Sequence, residues 1–229
     1  MRVPRPPTAW VATLSTSWRG SAREAILGEL KRVILDGAAG PGLPIPVDEV
    51  AAHYQVSRIP VREALMILVG EGLVEHRARA GYIVATLTPG ELREFYLVRE
   101  ALEAAALAAA VRRATDADDE LVSAAHLATS AAIQAGDSRG HHRESRRFHL
   151  ALINAGGMPR LAHMFEAAWN MTEPARPMDH VSREAVAVLN EDHERMLAAF
   201  RARDTNALLE ISRLHHSRLQ NFALDLPEH

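Results

Sequence analysis

Three histidines set the chemical question. His149, His193 and His215 each fall on the apolar stripe of a different predicted helix. Ser145, Phe148, His149 and Leu152 share one side of the first. Ala185, Val188, Leu189, Asp192, His193 and Met196 share one side of the second, and Leu208, Ile211, Ser212, His215, Leu219 and Phe222 one side of the third. Such stripes face the core of a helical bundle. Neutral imidazole nitrogens converging in a dry cavity are ready ligands for a divalent metal such as zinc or nickel. Taken singly, a histidine on an apolar face is more often a hydrogen-bonded core residue, and that reading stands beside the metal one. His216 points off its stripe and His141-His142 open a helix, so these three are expected in solvent. Arg99 poses a second question, because it shares a face with Phe95, Leu102, Glu103 and Ala106. A buried cation needs an anion. Either Glu103, four residues on, forms an ion pair with it, or Arg99 grips the carboxylate of a small effector bidentately. Arg146 and Arg147 are expected to face solvent.

A second stretch carries different chemistry. Residues 57–65 read SRIPVREAL. Ser57 suits a helix N-cap, its hydroxyl accepting from a free backbone N–H. Ile59 and Pro60 follow in the first turn, where a proline's missing N–H costs nothing. Val61, Leu65 and Leu68 form a buried face, while Arg58 and Arg62, four apart, share another. A helix presenting a bare N-terminus and two guanidinium forks suits a DNA major groove, where arginine pairs bidentately with guanine. Residues 47–54 (VDEVAAHY) read as the supporting helix, with Gln55 and Val56 as the turn. Gly72 ends the arginine helix. Leu73-Val74 and residues 82–84 read as strands around the basic tip HRARAG, which carries Arg79 and closes on Gly81. Helix, turn, helix and a two-stranded wing make a winged helix-turn-helix.

The elements that position these groups follow from composition. The chain has 229 residues, enough for two modest domains, with 48% hydrophobic but only 5% aromatic residues. Small and aliphatic side chains must do the packing, which favours helices. There is no cysteine, so disulfides and thiolate metal sites are excluded. The longest uninterrupted apolar run, residues 104–111, is far short of the ~20 needed to span a bilayer, and no apolar signal segment opens the chain. A soluble cytoplasmic protein without membrane partners is expected. Residues 1–90 hold 10 Lys+Arg against 8 Asp+Glu, net +2, and residues 91–229 hold 16 against 21, net −5. Phosphate affinity must then come from local placement of arginines in two copies acting together. Residues 1–20, rich in proline and containing Trp10 and Trp18, read as an irregular tail. A helix is expected over 21–35 and a Gly/Pro loop over 37–46. Thr88-Pro89-Gly90 reads as a turn and domain boundary. Beyond it only helical periodicity occurs, over 91–113, 117–135, 137–155, 160–171, 182–203 and 205–224. The expected fold is mainly α: a winged helix-turn-helix (21–88) of three helices plus a small β-wing, then an antiparallel bundle of about six helices (91–224).

With these residues in view, VSRIPVREAL, followed by EGLVE and GYIV and preceded by ILDGAAGPGLPIPVDEVA, resembles the DNA-binding domain of GntR-family bacterial transcription regulators. The likeness implies that Ser57, Arg58 and Arg62 contact an operator and that Gly81 approaches the minor groove. Asp48 departs from it, standing where some relatives carry a DNA-contacting arginine. The second half is similar to the FCD effector domain of the FadR-type branch, through FYLVREALEAAALAAA, RRFHLAL, EDHERML and RDTNALLEISRLH. In metal-binding members three histidines and one aspartate hold the ion. His149, His193 and His215 occupy the histidine positions, and Ser145 occupies the aspartate's. Met158 replaces a usual asparagine. Such a site keeps three ligands plus water or effector, recruits another carboxylate, or is vestigial. The likeness also implies a small carboxylic effector beside the metal, within reach of Arg99, Glu103 and Ser145.

The expected function is a ligand-responsive transcription regulator, a repressor acting as a homodimer on a palindromic operator with half-sites about one helical turn apart. A three-histidine zinc site with an open position also describes a hydrolytic enzyme. That reading supplies neither an HExxH-type base nor a role for Arg58 and Arg62, so no catalytic residue is assigned. A third reading is an apo interaction module with a vestigial histidine cluster.

Overall fold

The computed structural model describes residues 8–17, 20–175 and 177–224. Two compact units divide the chain, Met1–Thr86 and Leu87–His229. As expected, the architecture is mainly helical with one small sheet.

In the first unit α1 (Ala22–Leu35) starts from a reciprocal capping box between Ser21 and Glu24. α2 (Val47–Tyr54) and α3 (Arg58–Gly70) are joined through Gln55, whose left-handed backbone (φ 54°) turns the chain tightly enough to bring the two helices together. Ile26, Leu30 and Ile34 of α1 share a fully buried core with Val50, Val61, Leu65 and Leu68. That core fixes which face of α3 is left outside, and Arg58 and Arg62 are on it. β1 (Val74–Arg77) and β2 (Gly81–Val84) pair antiparallel, Val74 opposite Val84 and Arg77 opposite Gly81. Arg79 and Gly81 both take positive φ at the wing tip, 69° and 81°. The cost of that conformation is absent for glycine and present for Arg79.

Several local expectations change. Ser57 occupies the N-cap position, but its side chain caps nothing, so its hydroxyl stays available on the surface. The first strand begins one residue late and runs into the basic segment, because Glu75 and His76 pair with Ile83 and Tyr82. The loop over 37–46 is partly ordered by the wing: Ile45 N–H donates to the Tyr82 carbonyl and Val84 N–H to that of Leu43. Residues 8–17 are no loose tail. Trp10, Val11 and Leu14 are buried in the α1–α3 core around a single 3-10 turn, Val11–Thr13, and Thr8 N–H donates to Glu49. Trp18 lies outside the described residues.

In the second unit α4 (Pro89–Arg113) begins where a turn is expected. Thr88 and Glu91 form a capping box and Pro89 fills the first helical position, so Thr-Pro-Gly starts a helix here. α5 (Asp116–Ala135), α6 (Ser138–Ala155), α7 (Pro159–Thr172), α8 (Arg183–Arg201) and α9 (Thr205–Leu224) complete the bundle, with 3-10 turns at Glu173–Ala175 and Pro177–His180. α4 packs against α6, α7 and α9. Leu107, Phe148, Leu152, Met196, Phe200 and Leu208 fill the core between them. A Cβ on Gly156 would lie 2.9 Å from the Ala106 carbonyl, so the end of α6 seats against the α4 backbone only because that residue is glycine. Among the described residues no helix is long and apolar enough to cross a membrane.

Leu65 is fully buried beneath the exposed face of α3. Leu65→Ala is expected to cost ~2–5 kcal/mol in urea unfolding, the usual range for a leucine cavity. A loss below about 1 kcal/mol would show that α3 is not held by this core.

Candidate functional site

α6, α8 and α9 each deliver one histidine to a common point. His149, His193 and His215 are almost completely buried, and one nitrogen from each lies within 4.8 Å of the others. His149 Nε2 and His193 Nε2 are 3.1 Å apart. Behind His149 stands Glu103 of α4, fully buried, with Oε1 2.6 Å from His149 Nδ1. A carboxylate can only accept, so Nδ1 carries the proton and Nε2 turns its lone pair inward. The other oxygen of Glu103 accepts from His216 Nε2 at 2.5 Å and from Ser212 Oγ at 3.2 Å. Burial alone would raise the Glu103 carboxyl. Attraction to His149 and the hydrogen bonds from His149 and His216 override it and hold the group well below the usual range. Burial, with His215 and His149 alongside, depresses His193 far below its ordinary value, and burial brings His215 down to about 4. Unprotonated imidazoles are the form a metal requires.

Arg99 is 3% exposed and lies on the wall of the cavity that the histidines line. It does not pair with Glu103. Its guanidinium carbon sits 3.4 Å from the centre of the Trp169 ring, with Tyr96 and Phe165 at 5.2 and 5.7 Å. Nε has no hydrogen-bond partner. Burial lowers its pKa to about 10, which leaves it charged at neutral pH. Glu103 is committed to the histidines and does not line the cavity; Glu173 accepts from the Trp169 indole N–H at 2.6 Å. Ser145 does line it. The cavity volume is about 40 Å³, room for a few waters when one needs roughly 10–15 Å³.

Three histidines expected in solvent are buried instead. His216 is fully enclosed through its bond to Glu103, and His141 and His142 are 8% and 9% exposed on the cavity wall. His142 lies 3.5 Å from Glu173 and 3.6 Å from Asp179. The signals were present in the spacing. His216 follows Ser212 by four residues, and His142 precedes Ser145 by three and His149 by seven, the same face of α6. Arg147 is exposed as expected, but Arg146 is largely covered and pairs with Glu166 at 2.7 Å. Asp192, next to His193, is held by Arg218 and lies 3.6 Å from His215 Nδ1. Burial would raise its carboxyl, but the contacts to His215 and Arg218 lower it.

In the first unit, Ser57, Arg58, Ile59, Arg62 and Arg79 are exposed, while Pro60 and Gly81 are half-buried. Arg62 and Arg79 have no hydrogen bond or ion pair among the described residues. Arg58 does: its Nε lies 2.5 Å from Asp48 Oδ1 of α2. Convergent cations at a helix N-terminus beside a basic hairpin suit a polyanion, with phosphates positioned by the arginines and bases read from the groove.

The description "Bacterial regulatory proteins, gntR family" matches residues 22–84, and "FCD domain" matches residues 94–218. The HTH-type transcriptional regulator McbR of Escherichia coli is 30% identical over 181 residues, spanning 77% of this chain and 80% of its own. The HTH-type transcriptional repressor GlaR of Escherichia coli is 28% identical over 194 residues, 81% of this chain and 88% of its own. The solved structure of Escherichia coli McbR/YncC superposes with a TM-score of 0.77 at 25% identity, covering 90% of this chain and 97% of the other. Cationic helix, basic wing and buried polar cavity thus find their place together: the chain belongs to the GntR family and is a DNA-binding transcription regulator with an FCD effector-binding domain, not an enzyme.

Proposed function

We propose that the protein is a cytoplasmic, homodimeric repressor whose hold on a palindromic operator is tuned by a small carboxylate effector and a divalent metal. The convergence of His149, His193 and His215 within 4.8 Å, with Glu103 behind His149, carries this reading. Three buried, converging imidazoles fit zinc or nickel, and a carboxylate on the far nitrogen is the usual second partner of a metal-ligating histidine. Held there, the ion would supply Lewis acidity toward an effector's carboxylate, and Ser145 lines the same cavity. Arg99, charged, buried and without a carboxylate partner, would take the same anion from the other side. On the DNA side Ser57, Arg58, Ile59, Pro60, Arg62, Arg79 and Gly81 would form the contact surface. Effector binding then acts only through its different affinity for the DNA-competent and incompetent arrangements of the dimer.

One observation favours a metal-free version of the site. The 3.1 Å between His149 Nε2 and His193 Nε2 is also a hydrogen-bond distance, so the two imidazoles satisfy each other if His193 donates. Elemental analysis of purified protein separates the two forms.

Full-length protein is expected to bind about one zinc or nickel ion per protomer, and His193→Ala to lose both the ion and the upward thermal shift on adding it. Equal metal content in parent and variant would remove the metal. Glu103→Gln keeps the shape but weakens the anchor on His149, and metal affinity by competition with a chelator should fall ~10–100-fold. An unchanged affinity would make Glu103 a purely structural residue. Arg99→Ala should abolish the response to small carboxylates, read as ligand-induced thermal shift and operator release, and leave DNA binding intact. A normal response would return Arg99 to a packing role against Trp169.

A further inference from the structure

Among the described residues, Arg58 alone of the exposed candidate DNA contacts on the α3 face and wing forms an ion pair within the protein. Its partner is the acidic side chain of Asp48, the second residue of α2, and the two are 63% and 67% exposed. The pairing has a local cause. Arg58 is the first residue of α3, where the helix dipole disfavours a cation. Asp48 sits in the first turn of α2, where the dipole favours an anion, and its carboxylate reaches the Arg58 guanidinium at the start of α3. An exposed pair of this kind adds little to stability. It does set direction. Asp48 Oδ1 faces the Nε edge of the guanidinium, and among the described residues no other carboxylate forms an ion pair with Arg58.

We propose that Asp48 and Arg58 read one base pair of the operator as a unit. Arg58 presents its Nη groups to the O6 and N7 acceptors of a guanine. Asp48 accepts from the exocyclic amine of the cytosine paired with it, whose N4 lies beside that O6 in the major groove. Asp48 is therefore a specificity determinant in its own right, and it has a second effect. Its negative charge opposes phosphate wherever the amine is missing, so it weakens binding to unrelated sequence. In a unit with a net charge of only +2 over residues 1–90, that discrimination rests on placement rather than on bulk attraction. The inference rests on the DNA-binding assignment made above.

The test is selection from a library of random-sequence duplexes by the full-length parent, Asp48→Ala, Asp48→Glu and Arg58→Ala, followed by affinity measurements over a salt series. Expected for Asp48→Ala is loss of preference at one position of each half-site, roughly tenfold in discrimination. Tighter binding to unrelated duplex and a steeper log–log salt slope, by about one, should accompany it. Asp48→Glu should restore part of the preference, which a merely structural role for Asp48 would not produce. Arg58→Ala should lose preference at the same position and bind unrelated duplex more weakly. Asp48→Ala selecting the parent's sequence with the parent's salt slope overturns the proposal and leaves the DNA-binding assignment standing. Uniform loss of affinity at every position also overturns it, by making Asp48 a scaffold for α3. A parent that selects no sequence at all sinks both.

Discussion

The second unit is organised by a carboxylate with no access to water. Taking an ionised glutamate out of solvent costs several kcal/mol unless its lone pairs are filled, and Glu103 fills them from two other helices: His149 of α6, and Ser212 and His216 of α9. Three consequences follow from that arrangement. The imidazole of His149 is fixed in the tautomer that turns its lone pair toward His193 and His215. His216 is drawn inside although its immediate neighbour already points to the core. Arg99, one turn earlier on α4, is deprived of the partner that its spacing offers and settles against aromatic faces instead. The centre and the cation on the cavity wall are two results of one buried charge.

The first unit works by the opposite rule, with its chemistry kept in water. The core of α1, α2 and α3 closes around aliphatic side chains and leaves the polar edge of α3 uncommitted except at Arg58. The wing is extended beyond its two strands by residues 43–45, whose backbone bonds steady the base of the hairpin while its tip adopts positive φ at Arg79 and Gly81. Such exposed arginines contribute little to folding, so their placement answers to a ligand.

Periodicity found the parts of this molecule that depend on local pattern. α2 and α9 have the expected limits, and Phe148, His149, Leu152, Leu189, His193, Met196 and His215 are all buried as their stripes require. The family likeness was carried by short motifs that survive in α3, α4 and α6. The misses have a shared physical origin, since they concern choices made between segments far apart in the chain. Glu103 selects His149 and His216 over Arg99 because of the way α4, α6 and α9 are packed, and no window of a single helix contains that information. Trp10 and Leu14 are buried because α1 and α2 leave a groove for them, while a proline-rich context suggested only irregularity. Ser57 shows the reverse case: a residue type well suited to capping stands at the cap position and does not cap. Thr88-Pro89-Gly90 shows how the same tripeptide serves as a turn or as a helix start, decided here by Glu91 closing the box.

Trp169 stands among Arg99, Glu173 and His149 at the cavity. Its indole ring lies under the Arg99 guanidinium, its N–H donates to Glu173, and its ring centre is 5.2 Å from that of His149. Indole emission is sensitive to neighbouring cations, carboxylates and imidazoles, so the cavity carries its own optical reporter. Trp10, enclosed in the other unit's aliphatic core, and Trp18 add their own emission to that signal. Entry of a compound beside Trp169 thus has an intrinsic ultraviolet readout, with no label attached.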